Sequence, residues 1–154
     1  MKALNLIIAF LLCTQAYGQD FDFNDLKVID SEKAFKRFCF ENEFVLVEKE
    51  TYEMTYAFNY TRSTESAVMW FSLRPESGTW YMQIVKQQGA SHPKFNKVLE
   101  QVKSECTFYD FQNYLGDEYI CYTCPRSKYS GKIGFRRGEK SDYIRHFHSE
   151  YFED

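Results

Sequence analysis

Histidine is scarce in this chain, with three in 154 residues. The spaced motifs that announce catalysis are missing too. There is no Gly-x-Ser-x-Gly elbow, no phosphate-binding glycine loop and no His-Glu-x-x-His helix. Carboxylates are plentiful but scattered, so no acid–base pair stands out. The sequence therefore reads as non-enzymatic and calls for no cofactor. Strong positive charge is also lacking. A formal net charge of −3 argues against general nucleic-acid binding. No apolar run reaches the ~20 residues of a membrane-spanning helix.

The first residues carry the strongest local signal. Lys2 supplies a positive start, residues 4–13 are apolar apart from Asn5, and Ala16-Tyr17-Gly18 offers small residues for a cut before Gln19. Residues 1–18 are thus expected to be a signal peptide, and residues 19–154 a single domain that is secreted or periplasmic. Leu12 is too large to precede a lipid-attachment cysteine at Cys13. Cleavage removes Lys2 and Cys13, leaving Cys39, Cys106, Cys121 and Cys124. An even number in an exported chain suggests disulfides, with three pairings open.

Aromatic residues make up 19% of the chain, enough to build a core despite a mean hydropathy of −0.52. Residues 19–24 look like a mobile leader. A helix is expected over 30–42, with Ser31 as a cap and Ala34, Phe35, Phe38 and Cys39 at helical spacing. Strand-like runs follow at 44–47, 52–60, 67–73 and 80–85, the clearest alternating Tyr52, Met54, Tyr56, Phe58 and Tyr60 with more polar neighbours. A second helix spans 93–105, with Ser91 or His92 near its cap and Phe95, Val98, Leu99, Val102 and Cys106 on one stripe. Runs at 108–111, 118–124, 132–136 and 143–148 complete the pattern.

Helix and four strands thus occur twice. Matching 30–87 with 91–149 sets Met54/Tyr56 against Ile120/Tyr122, Met69/Phe71 against Ile133/Phe135, and Met82/Ile84 against Ile144/His146. The expected fold is α+β: two tandem helix-plus-four-strand units forming a curved antiparallel sheet with helices on one face. In element order alone the chain resembles the tandem arrangement of β-lactamase-inhibitor-type proteins. A cystatin-like module, one helix wrapped by four strands, is a second resemblance. No motif carries either, so neither implies a role for any residue.

Three features bear on function. The sheet face turned away from the helices should hold Val68, Trp70 and Tyr81, with Tyr119 or Tyr122, an aromatic surface suited to gripping a partner. Arg126, Lys128, Lys132, Arg136, Arg137, Lys140 and Arg145 form a basic stretch able to meet a protein, an anionic glycan or a lipid headgroup. The residues expected to bind are Trp70, Tyr81, Arg136, Arg137 and Arg145, in a non-catalytic module holding a macromolecular partner. The alternative is a metal-binding or redox envelope protein. Cys121-Tyr-Thr-Cys124 with His146 and His148 has the donor set of a zinc site, roughly 10 Å apart across an intervening strand. As a redox motif the pair lacks the helix that would lower its pKa. Asn59-Tyr60-Thr61 is a glycosylation sequon, relevant in a eukaryotic source.

Overall fold

The computed structural model describes residues 20–124 and 131–148. The expected signal peptide, along with Arg126 and Lys128, lies outside these residues.

The expected mobile leader over 19–24 is anchored over its described residues, 20–24, and the segment continues into the core to residue 30. Phe21, Phe23, Leu26 and Ile29 are all buried in the main core. Their polar neighbours tie the segment down. Asp22 accepts from the Asn24 amide and, with Asp25, forms a capping box on helix α1 (Phe23–Leu26). Asp22 also accepts from Gln101 Nε2 at 3.0 Å, and Asp20 pairs with Lys97 at 2.8 Å.

Helix α2 (Glu32–Glu41) begins where Ser31 accepts from the Ala34 amide, and its apolar stripe buries Phe35, Phe38 and Cys39. Helix α3 (Pro93–Glu105) carries Pro93 in its first turn and buries Phe95, Val98, Leu99 and Val102. Both stripes match the spacing read from sequence.

The strands are β1 (Val45–Lys49), β2 (Met54–Phe58), β3 (Met69–Arg74), β4 (Thr79–Val85), β5 (Thr107–Tyr114), β6 (Asp117–Thr123), β7 (Gly131–Arg137) and β8 (Ser141–His148). They make one antiparallel sheet in the order β1-β2-β3-β4-β8-β7-β6-β5. The fold is therefore α+β. Two meanders meet where β4 pairs with β8, which places β1 and β5 at the outer edges. Leu115 and Gly116 both have positive φ and form the tight turn between β5 and β6.

Register sorts the side chains into two faces. The row Tyr56, Phe71, Met82, Ile144, Phe135 and Ile120 lies on one face, since directly opposed residues share a side. Most of this face joins the helix stripes in a single core around Phe35, Phe71, Trp80, Phe95 and Ile144. The expected pairs from Met54/Tyr56 to Ile144/His146 all fall here.

The sheet curls strongly. Arg74 Nη1 on β3 donates to the Tyr114 hydroxyl on edge strand β5 at 3.2 Å. In a flat sheet these strands would be about 24 Å apart, five steps of ~4.8 Å. The side chains meet because the β5–β6 hairpin bends over the face opposite the main core.

Candidate functional site

That second face carries the row Thr55, Ser72, Tyr81, Arg145, Gly134 and Cys121, and beside it Ala57, Trp70, Gln83, Tyr143 and Arg136. Trp70, Tyr81, Arg136 and Arg145 therefore share one side of the sheet. Arg137 does not join them. Successive residues of a strand point to opposite faces, so Arg136 and Arg137 are separated by the sheet. Arg137 instead donates to Ser91 Oγ at 2.9 Å and Asn96 Oδ1 at 3.0 Å, its guanidinium over the Phe95 ring.

Arg145 occupies the centre of the second face. Its guanidinium carbon lies 4.1 Å from the ring centroid of Tyr114, 4.8 Å from Tyr81, 5.8 Å from Phe147 and 5.9 Å from Tyr119. Such packing over ring faces is cation–π contact. Gly134 opposes Arg145 on β7, and this lets the cage close. A Cβ there would meet the Phe147 ring at 2.7 Å and Cys121 Sγ at 3.1 Å. Tyr119, Cys121 and Phe147 form a small second core, against which Tyr114 and Tyr143 pack.

The aromatic surface is consequently more enclosed than its residues suggest. Tyr119 is buried, Tyr122 belongs to the main core, and Val68 packs against that core. Trp70, Tyr81, Tyr114 and Tyr143 are half-buried, with Trp70 edge-on to Tyr60 at 5.7 Å. Burial raises the pKa of the Tyr81 and Tyr119 phenols, so both are protonated and uncharged at neutral pH.

Two of the three arginines here have carboxylate partners. Arg74 Nε pairs with Glu53 at 3.0 Å, and Glu53 also accepts from the Tyr81 hydroxyl at 3.1 Å. Arg136 pairs with Asp117 at 2.6 Å while lying over the Tyr143 ring. Arg145 has no carboxylate within ion-pairing distance among the described residues, and its buried Nε–H meets no acceptor there.

Of the four residues of the zinc alternative, Cys121, Cys124 and His146 are not brought together, and the His148 side chain lies outside what is described. Cys124 is joined to Cys106 in a disulfide, so its sulfur is not a free thiolate. Cys121 lies on the second face and His146 on the first, stacked on Trp80 at 5.7 Å. The His148 backbone pairs with Gly131 at the end of β8. Among the described residues no group of three or more metal-binding side chains is found. The two free thiols, Cys39 and Cys121, are buried. Burial pushes the Cys121 thiol up to about 12 and that of Cys39 higher still, the opposite of a reactive cysteine.

Sequence reasoning missed Tyr114, Tyr143, Phe147, Arg74 and Glu53 as parts of this face. Their alternation within each strand was legible, but which strands adjoin was not. It also missed a patch at the β5 edge, where Phe108, Phe111 and Ile120 remain exposed on the first face. No helix among the described residues is long and apolar enough to cross a membrane. No protein-family model, curated protein or solved structure matches the chain.

Proposed function

We propose that this chain is an exported, non-catalytic binding module that holds a macromolecular partner on the aromatic and basic face around Trp70, Tyr81, Arg136 and Arg145. The observation that carries the reading is the co-location of these four side chains on one curved face. Aromatic and arginine side chains dominate binding hot spots because they offer large contact area with few rotamers to freeze. Arg137, held at the start of α3 on the other face, drops out of the set. In the same reading, residues 30–87 and 91–149 are two helix-plus-four-strand units with their helices on the first face. That arrangement leaves the second face for recognition. The disulfide between Cys106 and Cys124 supports an oxidising compartment, secreted or periplasmic.

The test is cross-linking of the full exported chain in its source cells, with the captured protein identified and quantified by mass spectrometry. Trp70→Ala should leave the melting temperature nearly unchanged and reduce capture by roughly thirtyfold, the effect of losing a hot-spot aromatic. Equal capture by the wild type and a folded Trp70→Ala rejects this face. An unfolded Trp70→Ala and Tyr81→Ala would assign both residues to the core and end the reading.

A further inference from the structure

We propose that the guanidinium of Arg145 is the seat for one carboxylate of a protein partner. The inference rests on the binding reading above and names the group that this face would engage. Arg145 is half-buried among four aromatic rings, where the effective dielectric constant is low and an unneutralised charge is costly. The rings offset part of that cost through their π faces, but they accept few hydrogen bonds from its N–H groups. The Nε–H in particular has no acceptor among the described residues. The neighbouring cations are already matched, Arg74 by Glu53 and Arg136 by Asp117. Of these three arginines, Arg145 is therefore the one with no carboxylate partner among the described residues, and the rings around it hold its planar donor fork in place.

A single carboxylate satisfies that arrangement. It is planar, carries one negative charge, and takes parallel N–H bonds from a guanidinium. The Tyr114 hydroxyl oxygen accepts from Arg74, which leaves its own proton free to donate to the same anion. Sulfated glycans and anionic bilayers present many charges and reward arrays of unpaired cations. Here the cations on either side are paired, so an acidic side chain of a protein fits better. A bound carboxylate would sit beside Tyr81 and within the reach of partner groups lying on Trp70.

The buried Nε–H makes the experiment direct, because an enclosed guanidinium N–H exchanges slowly enough to be followed by nitrogen–proton NMR. The full mature chain is titrated with N-acetylglutamate methylamide, with sodium chloride at equal ionic strength as the control. The Arg145 Nε–H resonance should move saturably with the glutamate probe and not with chloride. Arg145→Lys, which keeps the charge and loses the fork, should weaken the probe roughly tenfold, the value of one hydrogen bond to a charged group. A resonance that does not move in the wild type overturns the proposal without needing any variant. So does one that moves only when Glu150, Glu153 and Asp154 are replaced by their amides, which would give the seat to the chain's own C-terminal carboxylates. Stronger response to heparin than to the glutamate probe would overturn it in favour of a glycan. Carboxylate binding that persists while Trp70→Ala leaves partner capture unchanged would keep the seat and reject the wider binding reading.

Discussion

Charged side chains in this molecule differ most in how far they have been removed from water. Asp142 is fully buried on β8, on the first face beside Ile84, and its two oxygens accept no hydrogen bond among the described residues. Lys86 Nζ lies 3.6 Å away with its side chain mostly covered. An ion pair in such surroundings loses about as much hydration as it gains in attraction, so its presence is weak evidence of net stability. Breaking it is another matter, because one charge is then left alone in a poorly solvated site. Lys86→Met should cost about 3–5 kcal/mol in urea denaturation. Lys86→Met with Asp142→Leu should recover most of that loss, and a double variant no better than the single would show that the two groups are not coupled. Exposed pairs such as Lys103 with Glu100 should contribute less than ~1 kcal/mol.

Helix α3 shows how much depends on one cap. His92 Nδ1 accepts from the Lys94 amide at 3.2 Å, which requires an unprotonated nitrogen at that position. Burial, and then the nearby Lys94 cation, hold the imidazole pKa below its ordinary 6.5. The unfolded chain therefore binds the proton more readily than the folded one. The stability linked to this group is complete above about pH 6.5 and is lost as the pH falls toward the folded-state value. His92→Ser keeps an acceptor at the cap without a titration in this range. Urea denaturation at pH 7.5 and pH 5 should show the wild type losing about 1 kcal/mol relative to His92→Ser. Parallel pH dependence in the two proteins would remove His92 from the account. Both long helices were legible because cap and apolar stripe agreed, Ser31 with Phe35, Phe38 and Cys39, His92 with Phe95, Val98 and Leu99. The strands were legible as alternation, with β5 read too short because its bulge between Phe108 and Asp110 interrupts the pattern. The Cys121-x-x-Cys124 spacing carries no shared site for a related reason. An odd separation along a strand sends two side chains to opposite faces, so the pair suited to a turn or helix is divided here by the sheet.

At the scale of the whole molecule, the candidate site depends on contacts that no local pattern specifies. Tyr114 reaches Arg74 only because the sheet curls, and Arg145 is enclosed only because the hairpin carrying Tyr114 and Tyr119 folds back over β8. The same long-range closure appears at the start of the described chain. Asp20 and Asp22 follow directly on the apolar start of the chain, yet the alternating Phe21 and Phe23 go into the core. The Phe23 amide donates to Gln101 Oε1 at 2.9 Å, and Lys27 pairs with Glu105 at 3.2 Å, so this strap fastens onto α3. Phe23 is 1% exposed, and its truncation removes a large ring from a site where the first and second halves of the chain meet. Phe23→Ala should therefore destabilise by about 3–5 kcal/mol, a large part of the ~5–15 kcal/mol typical of a domain. Because the strap, both long helices and the sheet share one core, the loss should be global. Tyrosine fluorescence and far-UV circular dichroism should report a single urea transition shifted to lower concentration, with an unchanged slope. Two separated transitions would mean that the halves fold independently and the strap stabilises only one of them. Lys97→Ala is the control, since it removes only the exposed pair to Asp20 and should move the midpoint little.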